Sequence, residues 1–286
     1  MDILRKPEEM LAWSQARSRE GGTIALVPTM GFFHEGHLSL MRRAAELCDT
    51  VVVSLFVNPT QFGPNEDLDR YPRDFECDME LVCKEPVAAV FAPTPELMYL
   101  AGFQTEVRVT QLSTYLCGKS RPVHFAGVAT VVTKLFNIVR PEVAVFGEKD
   151  FQQLAIIRRL VTDLNIPVRI VGHPIVREAD GLAMSSRNAN LDPANRAAAL
   201  SLSTALRLVR TEAARGVLAT AELGQSVARH IHSFAGTAID YASFVDGDSL
   251  EAVETVDERT ILALAVHVDG KAGKVRLIDN GFVLPQ

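Results

Sequence analysis

Between residues 23 and 171 the chain alternates two hydrophobic rhythms. Short, nearly continuous apolar runs lie at 23–28, 51–57, 87–91, 143–146 and 167–171. Runs of that length and purity predict strands covered on both faces. Between them, apolar residues recur every three or four positions. Leu38, Met41, Ala45 and Cys48 form one such stripe. Residues 74–84 read as a second helix and 151–164 as a fourth. The third is the clearest: Val128, Val131, Val132, Leu135, Phe136 and Val139 share one face of a helix over 124–139, which Pro141 stops. Strand and helix in alternation predict a parallel sheet with helices on both faces. Past about residue 176 the rhythm changes. Two long helical patterns, 193–215 and 219–234, precede strand-like runs at 239–245, 261–268 and 275–279. The chain therefore divides into an α/β part, 1–176, and a smaller α+β part, 177–286, with a linker near 177–181.

Composition narrows the function classes. With 286 residues and 48% hydrophobic content there is ample material for one large or two medium cores. The net charge is −6 and no basic run is present, which disfavours nucleic acid as the main partner. No apolar run reaches the ~20 residues of a membrane span, and the N-terminus carries no signal-peptide pattern. Four cysteines (Cys48, Cys77, Cys83 and Cys117) form no CxxC pair and read as reduced, at least partly buried thiols. A cytoplasmic protein is expected.

Candidate chemistry gathers at the ends of predicted strands, where open parallel sheets bind ligands. After the first run comes His34-Glu35-Gly36-His37, opening a helix. Two imidazoles three residues apart point the same way, beside the unpaired N–H groups and partial positive charge of a helix N-terminus. Gly31 and Gly36 let a ligand approach the backbone. The combination predicts a phosphate site; half a metal site or a pair of helix-capping histidines are the competing readings. After the second run comes Asn58-Pro59-Thr60-Gln61-Phe62-Gly63, and after the fourth Gly147-Glu148-Lys149-Asp150, followed by Gln152 and Gln153. An ordinary Asn-Pro turn, a solvated helix start and a surface amide are the plain alternatives. Met184-Ser185-Ser186-Arg187-Asn188 pairs two hydroxyls with a fixed cation. That is a phosphate grip on a mobile lid, or simply a capping serine.

The His-x-Gly-His pattern resembles the signature of nucleotidyltransferases that act at the α-phosphate of ATP. More specifically, the chain resembles the pantoate–β-alanine ligases. The matching segments are Pro28-Thr29-Met30-Gly31, His34–His37, residues 57–62 (VNPTQF), 63–67 (GPNED), 70–73 (RYPR), 127–136 (GVATVVTKLF), 146–150 (FGEKD), Gln152-Gln153 and 184–188 (MSSRN). They fall in family order over roughly residues 23–190.

The resemblance implies a Rossmann-like parallel sheet of the HxGH nucleotidyltransferase type with a smaller α+β C-terminal domain. It implies ATP, pantoate and β-alanine as substrates, joined through a pantoyl adenylate with release of pyrophosphate and AMP, and a homodimer. Mg²⁺ would accompany ATP, held by phosphates and water with no direct protein ligand. His34, His37 and Lys149 take the catalytic positions, His37 being the usual proton donor. Met30, Gly147, Glu148, Asp150, Val176, Met184, Ser185, Ser186 and Arg187 join the two histidines and Lys149 at ATP. Gln61, Gln153, Asn58, Phe62 and Met30 fall to pantoate and β-alanine. Val123 departs from the pattern, which has glycine there and so puts the shape of the 121–125 loop in question. A sister transferase acting on a phosphorylated acceptor is the runner-up, but residues 58–63 offer amides and no cation. A nucleotide-sensing module would need neither a second-substrate pocket nor a lid.

Overall fold

The central strands of the α/β part bury alternate residues in two different cores, which is why their runs are apolar throughout. In β2 (Ile24–Thr29), Ile24 and Leu26 enter one core while Ala25 and Val27 enter the other. The same alternation holds in β3 (Thr50–Leu55), where Val52 faces the first core and Val51 and Val53 the second. In β5 (Val143–Gly147), Ala144 and Phe146 oppose Val143 and Val145. Helices cover both faces, as the sequence pattern predicts.

The computed structural model describes every residue except Asn65, Asp67 and Gln286. Two residues of the 63–67 motif thus lie outside the described residues. The chain clusters into two compact units, one of Met1–Ser113, Arg121–Glu148 and Gln153–Pro174, the other of Thr114–Ser120, Lys149–Gln152 and Ile175–Gln286.

The first unit holds a six-stranded sheet, completed by β1 (Asp2–Leu4), β4 (Ala89–Phe91) and β6 (Arg169–His173), in the order β1-β4-β3-β2-β5-β6. All its ladders are parallel. Chain order reverses direction between β2 and β5, the switch point of a Rossmann-like sheet, where a crevice opens beyond the carboxyl ends. On one face lie α1 (Pro7–Arg19) and α6 (His124–Val139), which send Met10, Val128, Val132, Leu135 and Val139 inward. On the other face lie α2 (Glu35–Ala45) and α3 (Phe75–Val82), sending in Leu38, Met41, Ala44 and Val82. The inward stripe of α2 therefore runs through Ala44, while Ala45 and Cys48 are half-buried, Cys48 beyond the helix end. Helix α6 closes with Arg140 in the left-handed region (φ 53°), its N–H bonding the Phe136 carbonyl at 2.9 Å, before Pro141. A short turn, α4 (Pro95–Met98), follows β4.

Two elements have no clear sequence signal. Strand β1 is three residues at a sheet edge, and α1 buries only Met10 and Ser14, too thin a stripe to stand out. Cys77 and Cys83 are exposed on and just after α3, not buried; Cys117 is buried and Cys48 intermediate.

The second unit carries α5 (Cys117–Ser120), the first two residues of α7 (Phe151–Asp163), then α8 (Arg196–Ala214) and α9 (Thr220–His232). Strands β7 (Thr237–Asp246), β8 (Thr260–Gly270) and β9 (Gly273–Phe282) form an antiparallel sheet. Leu262, Leu264, Val266 and Val268, every second residue of β8, pack with Leu202, Leu206 and Val209 of α8 and Leu223, Val227 and Ile231 of α9. No described helix is long and apolar enough to cross a membrane.

Candidate active site

The segment leaving β2 makes an abrupt turn before α2 begins. Gly31 (φ 84°) and Phe32 (φ 55°) both occupy the left-handed region, which costs a side-chain-bearing residue energy unless something holds it there. Asp78 of α3 does so. One carboxylate oxygen accepts the Phe32 N–H at 2.8 Å and the other the Phe33 N–H at 2.6 Å. A Cβ on residue 31 would stand 2.8 Å from that carboxylate, so glycine is required there by sterics as well as by φ. Burial pushes the Asp78 carboxyl above the ordinary carboxylate range, against the pull of the Phe33 and Phe32 N–H groups. Its place in the first turn of α3, after the capping Asp74, sets it in the positive end of a helix dipole.

With the turn fixed, His34 becomes the residue before α2 in an extended conformation (φ −140°, ψ 172°). The His34 and His37 rings lie 4.1 Å apart, tilted by 36°. The His34 backbone N–H points at Nδ1 of His37 at 3.4 Å. A nitrogen that accepts has no proton of its own, so the neutral His37 ring carries its hydrogen on Nε2. Nε2 is then a donor. Phe33 packs on the same ring at 5.5 Å.

The next strand end, after β3, is a buried polar network. Residues Pro59–Gln61 form a single 3-10 turn behind Asn58, which is 1% exposed. Asn58 Nδ2 donates to Gln61 Oε1 and to the Gly127 carbonyl, both at 3.1 Å. Gln61 Nε2 reaches Met30 Sδ at 3.2 Å, joining this turn to the His34 segment. Helix α6 lies directly behind. His124 Nδ1 donates to the Gln61 carbonyl at 2.9 Å, and a Cβ on Gly127 would stand 2.6 Å from the backbone of Thr60 and Gln61. Phe62 is buried edge-on against Tyr71 at 6.0 Å. Arg121 pairs with Glu66. Burial alone would raise the Glu66 carboxyl, but Arg121 and His124 overcome it and hold Glu66 below its ordinary range. Val123 sits between them with φ −91° and ψ −17°, a conformation open to any residue, so the loop has no need of glycine.

The third strand end, after β5, adds Gly147 and Glu148; the Glu148 carboxylate lies over Gly172 of β6. Strands β3, β2 and β5 are adjacent and parallel, so these three ends share one edge of the sheet. Gln153 is half-buried on α7.

Lys149, Asp150, Val176, Met184, Ser185, Ser186 and Arg187 belong to the second unit. There the Lys149 carbonyl accepts from Asn280 Nδ2 on β9 at 2.8 Å. The neighbouring Asp279 carboxylate takes a two-pronged ion pair from Arg177, at 2.7 and 2.8 Å. Gln152 is a strut: it accepts from the Cys117 N–H at 3.0 Å and donates to the Tyr115 carbonyl at 2.8 Å. The Val176 carbonyl accepts the Met184 N–H at 2.9 Å. Ser185 Oγ accepts from the Arg187 N–H at 3.3 Å and caps the short 3-10 turn Ser186–Asn190, so the capping reading of that serine holds locally. Ser186 is buried. Asn188 ties to Glu178 at 2.7 Å, and Arg196 to Glu178 and Asp180. Asp78, Tyr99 and Asn280 carry no motif in the sequence, and their placement comes from the fold.

Among the described residues no group of three or more His, Cys, Asp or Glu is placed to hold a metal ion. A model of the pantoate-beta-alanine ligase family matches residues 2–282. The chain belongs to that family. It is a carbon–nitrogen ligase that joins pantoate to β-alanine to form pantothenate. The pantothenate synthetase of Desulforapulum autotrophicum is 54% identical over 286 residues, covering all of both chains. That of Geobacter sulfurreducens is 54% identical over 280 residues, 98% of each. Among solved structures, the pantothenate synthetase of Thermus thermophilus superposes with a TM-score of 0.92 at 42% identity over the full length of both chains. The Francisella tularensis pantoate-beta-alanine ligase, solved with beta-gamma ATP and beta-alanine, gives a TM-score of 0.78 at 32% identity, covering 99% of this chain and 98% of that one.

In this ligase the Asp78 clamp aims the two histidines. Asp78→Asn keeps the shape but sets an NH₂ group against one of the two N–H donors. It should lower stability by about 1–3 kcal/mol and reduce turnover; thermal melting and steady-state rates check both. Unchanged melting and turnover would show that the turn does not depend on the carboxylate.

Proposed function

We propose that the ligase works in two steps through a pantoyl adenylate. A carboxylate oxygen of pantoate attacks the α-phosphorus of ATP, and the bond from that phosphorus to the bridging oxygen breaks, releasing pyrophosphate. The amine of β-alanine then attacks the acyl carbon. AMP leaves with the oxygen that joined it to the acyl group, and the nitrogen loses a proton. The attacking carboxylate is ionised at neutral pH and needs no base. What the first step needs is positive potential at phosphorus and on the departing pyrophosphate.

The His34–His37 pair supports this reading best: its geometry makes His37 Nε2 a donor at a helix N-terminus beyond the end of β2. Its role is to donate a hydrogen bond or proton to phosphate oxygen, with His34 beside it. Lys149 supplies a point charge, and Ser185, Ser186 and Arg187 add hydroxyl and guanidinium donors. Met30, Gly147, Glu148, Asp150, Val176 and Met184 complete the proposed ATP contacts. Gln61 and Gln153, with Met30 and Phe62, take pantoate and β-alanine: amides for the oxygens, an apolar wall for the pantoate methyl groups. Asn58, buried with both ends of its amide engaged, serves the same subsite from behind Gln61. Apart from the Glu148 and Asp150 carboxylates, the polar groups here are mostly nitrogen and hydroxyl donors suited to phosphate and carboxylate, and no three His, Cys, Asp or Glu gather among the described residues to hold an ion. The ion is therefore assigned to the ATP phosphates and water. Residues 1–176 act as the ATP- and pantoate-binding part and 177–286 as a lid; a cytoplasmic homodimer follows from the family resemblance.

Supplying ATP and Mg²⁺ with pantoate and β-alanine, together and singly, tests the scheme. AMP should accumulate only with both substrates; AMP from ATP and β-alanine without pantoate would contradict it. His37→Ala should cut adenylation by about 10²–10⁴ while the melting curve stays that of the parent chain. A folded variant turning over at the parent rate would remove His37 from its role.

A further inference from the structure

Tyr99 follows the four-residue helix α4 and belongs to no motif, yet it touches the site through one buried amide. Its hydroxyl donates to Asn58 Oδ1 at 2.7 Å, and the Thr60 hydroxyl donates to the same oxygen at 3.0 Å. At the other end of the Asn58 carboxamide, Nδ2 meets the Gly127 carbonyl, which can only accept. The Asn58 amide thus has one orientation that satisfies every partner: oxygen to the hydroxyls, nitrogen to the helix. That orientation has a consequence for Gln61. Asn58 Nδ2 donates to Gln61 Oε1 and so fixes which end of the Gln61 amide is oxygen. At the other end one Nε2 hydrogen meets Met30 Sδ and the second remains to donate to a ligand. A glutamine amide can present either an acceptor or a donor; here it presents a donor.

We propose that Tyr99 is a positioning residue which, through the Asn58 carboxamide, sets Gln61 as a hydrogen-bond donor to the oxygen atoms of the bound hydroxy acid. This rests on the reading of Gln61 as a pantoate contact. The arrangement matches a ligand offering carboxylate and hydroxyl oxygens and mismatches an ammonium group, which has hydrogens where Gln61 already supplies them. The Tyr99 ring is held independently of its hydroxyl. Phe56 lies 6.4 Å and Phe103 5.0 Å from it between ring centroids, and Lys134 Nζ stands 5.7 Å from its centre. Burial raises the Tyr99 pKa, so the hydroxyl stays a donor across the neutral range.

Tyr99→Phe removes the hydroxyl and keeps those ring contacts. The Michaelis constant for pantoate should rise about tenfold, one buried hydrogen bond's worth, with kcat at saturating pantoate within about twofold and the constant for ATP unchanged. In a Gln61→Ala background the same substitution should leave the pantoate constant unmoved, because the group it orients is gone. If Gln61→Ala alone leaves the pantoate constant unchanged, the parent reading of Gln61 fails. If Gln61→Ala raises it but Tyr99→Phe does not, or the two effects simply add, the positioning role of Tyr99 is overturned. Should Tyr99→Phe not fold, Thr60→Val strips the second hydroxyl from the same oxygen and reads the same coupling to Gln61.

Discussion

Two backbone N–H groups donating to one buried carboxylate hold the turn on which the site depends. Parallel strands bring the ends of β3, β2 and β5 to a common edge, but a strand end alone does not aim a side chain. Gly31 and Phe32 must both take left-handed backbone for the chain to leave β2 and enter α2 with His34 extended and His37 one turn on. Asp78 makes that conformation the favoured one by meeting the two N–H groups the turn exposes. Removing a charge from water to do this is costly, as its raised pKa shows, and the helix end beneath it offsets part of the cost.

The chemistry around this turn has a single polarity. His37 presents Nε2–H, and Gln61 presents the second hydrogen of an NH₂ group whose first meets Met30 Sδ. Such a surface is complementary to oxygen anions and leaves proton abstraction unassisted in the first step, which a carboxylate nucleophile tolerates. Apparent surface amides and turns owe this polarity to what lies behind them. Asn58 is buried, its two ends claimed by helix α6 and by the Tyr99 and Thr60 hydroxyls.

Much of this was readable in the sequence because it obeys local rules. The strand runs around Leu26, Val52 and Ala144 are apolar since both faces are covered, and α6 ends where Pro141 forbids more helix. The His34–His37 spacing and the amides after β3 stand at strand ends by position alone. What could not be read depends on contacts distant along the chain. Asp78 looks no different from Glu76 in an acidic helix start until the fold brings it to Phe32, 46 residues away. Tyr99 meets Asn58 across 41 residues, and Asn280 meets Lys149 across 131. The stripe of α2 shifted from Ala45 to Ala44 because small residues in adjacent positions carry almost no periodic signal.

The adenylate route makes one claim about atoms that no alternative shares. With ¹⁸O in both carboxylate oxygens of pantoate, the attacking oxygen stays on the α-phosphorus when the amide forms. One ¹⁸O per turnover should appear in AMP and none in pyrophosphate. Label in pyrophosphate or inorganic phosphate, with AMP unlabelled, would mean that the carboxylate attacks a different phosphorus and would contradict the account.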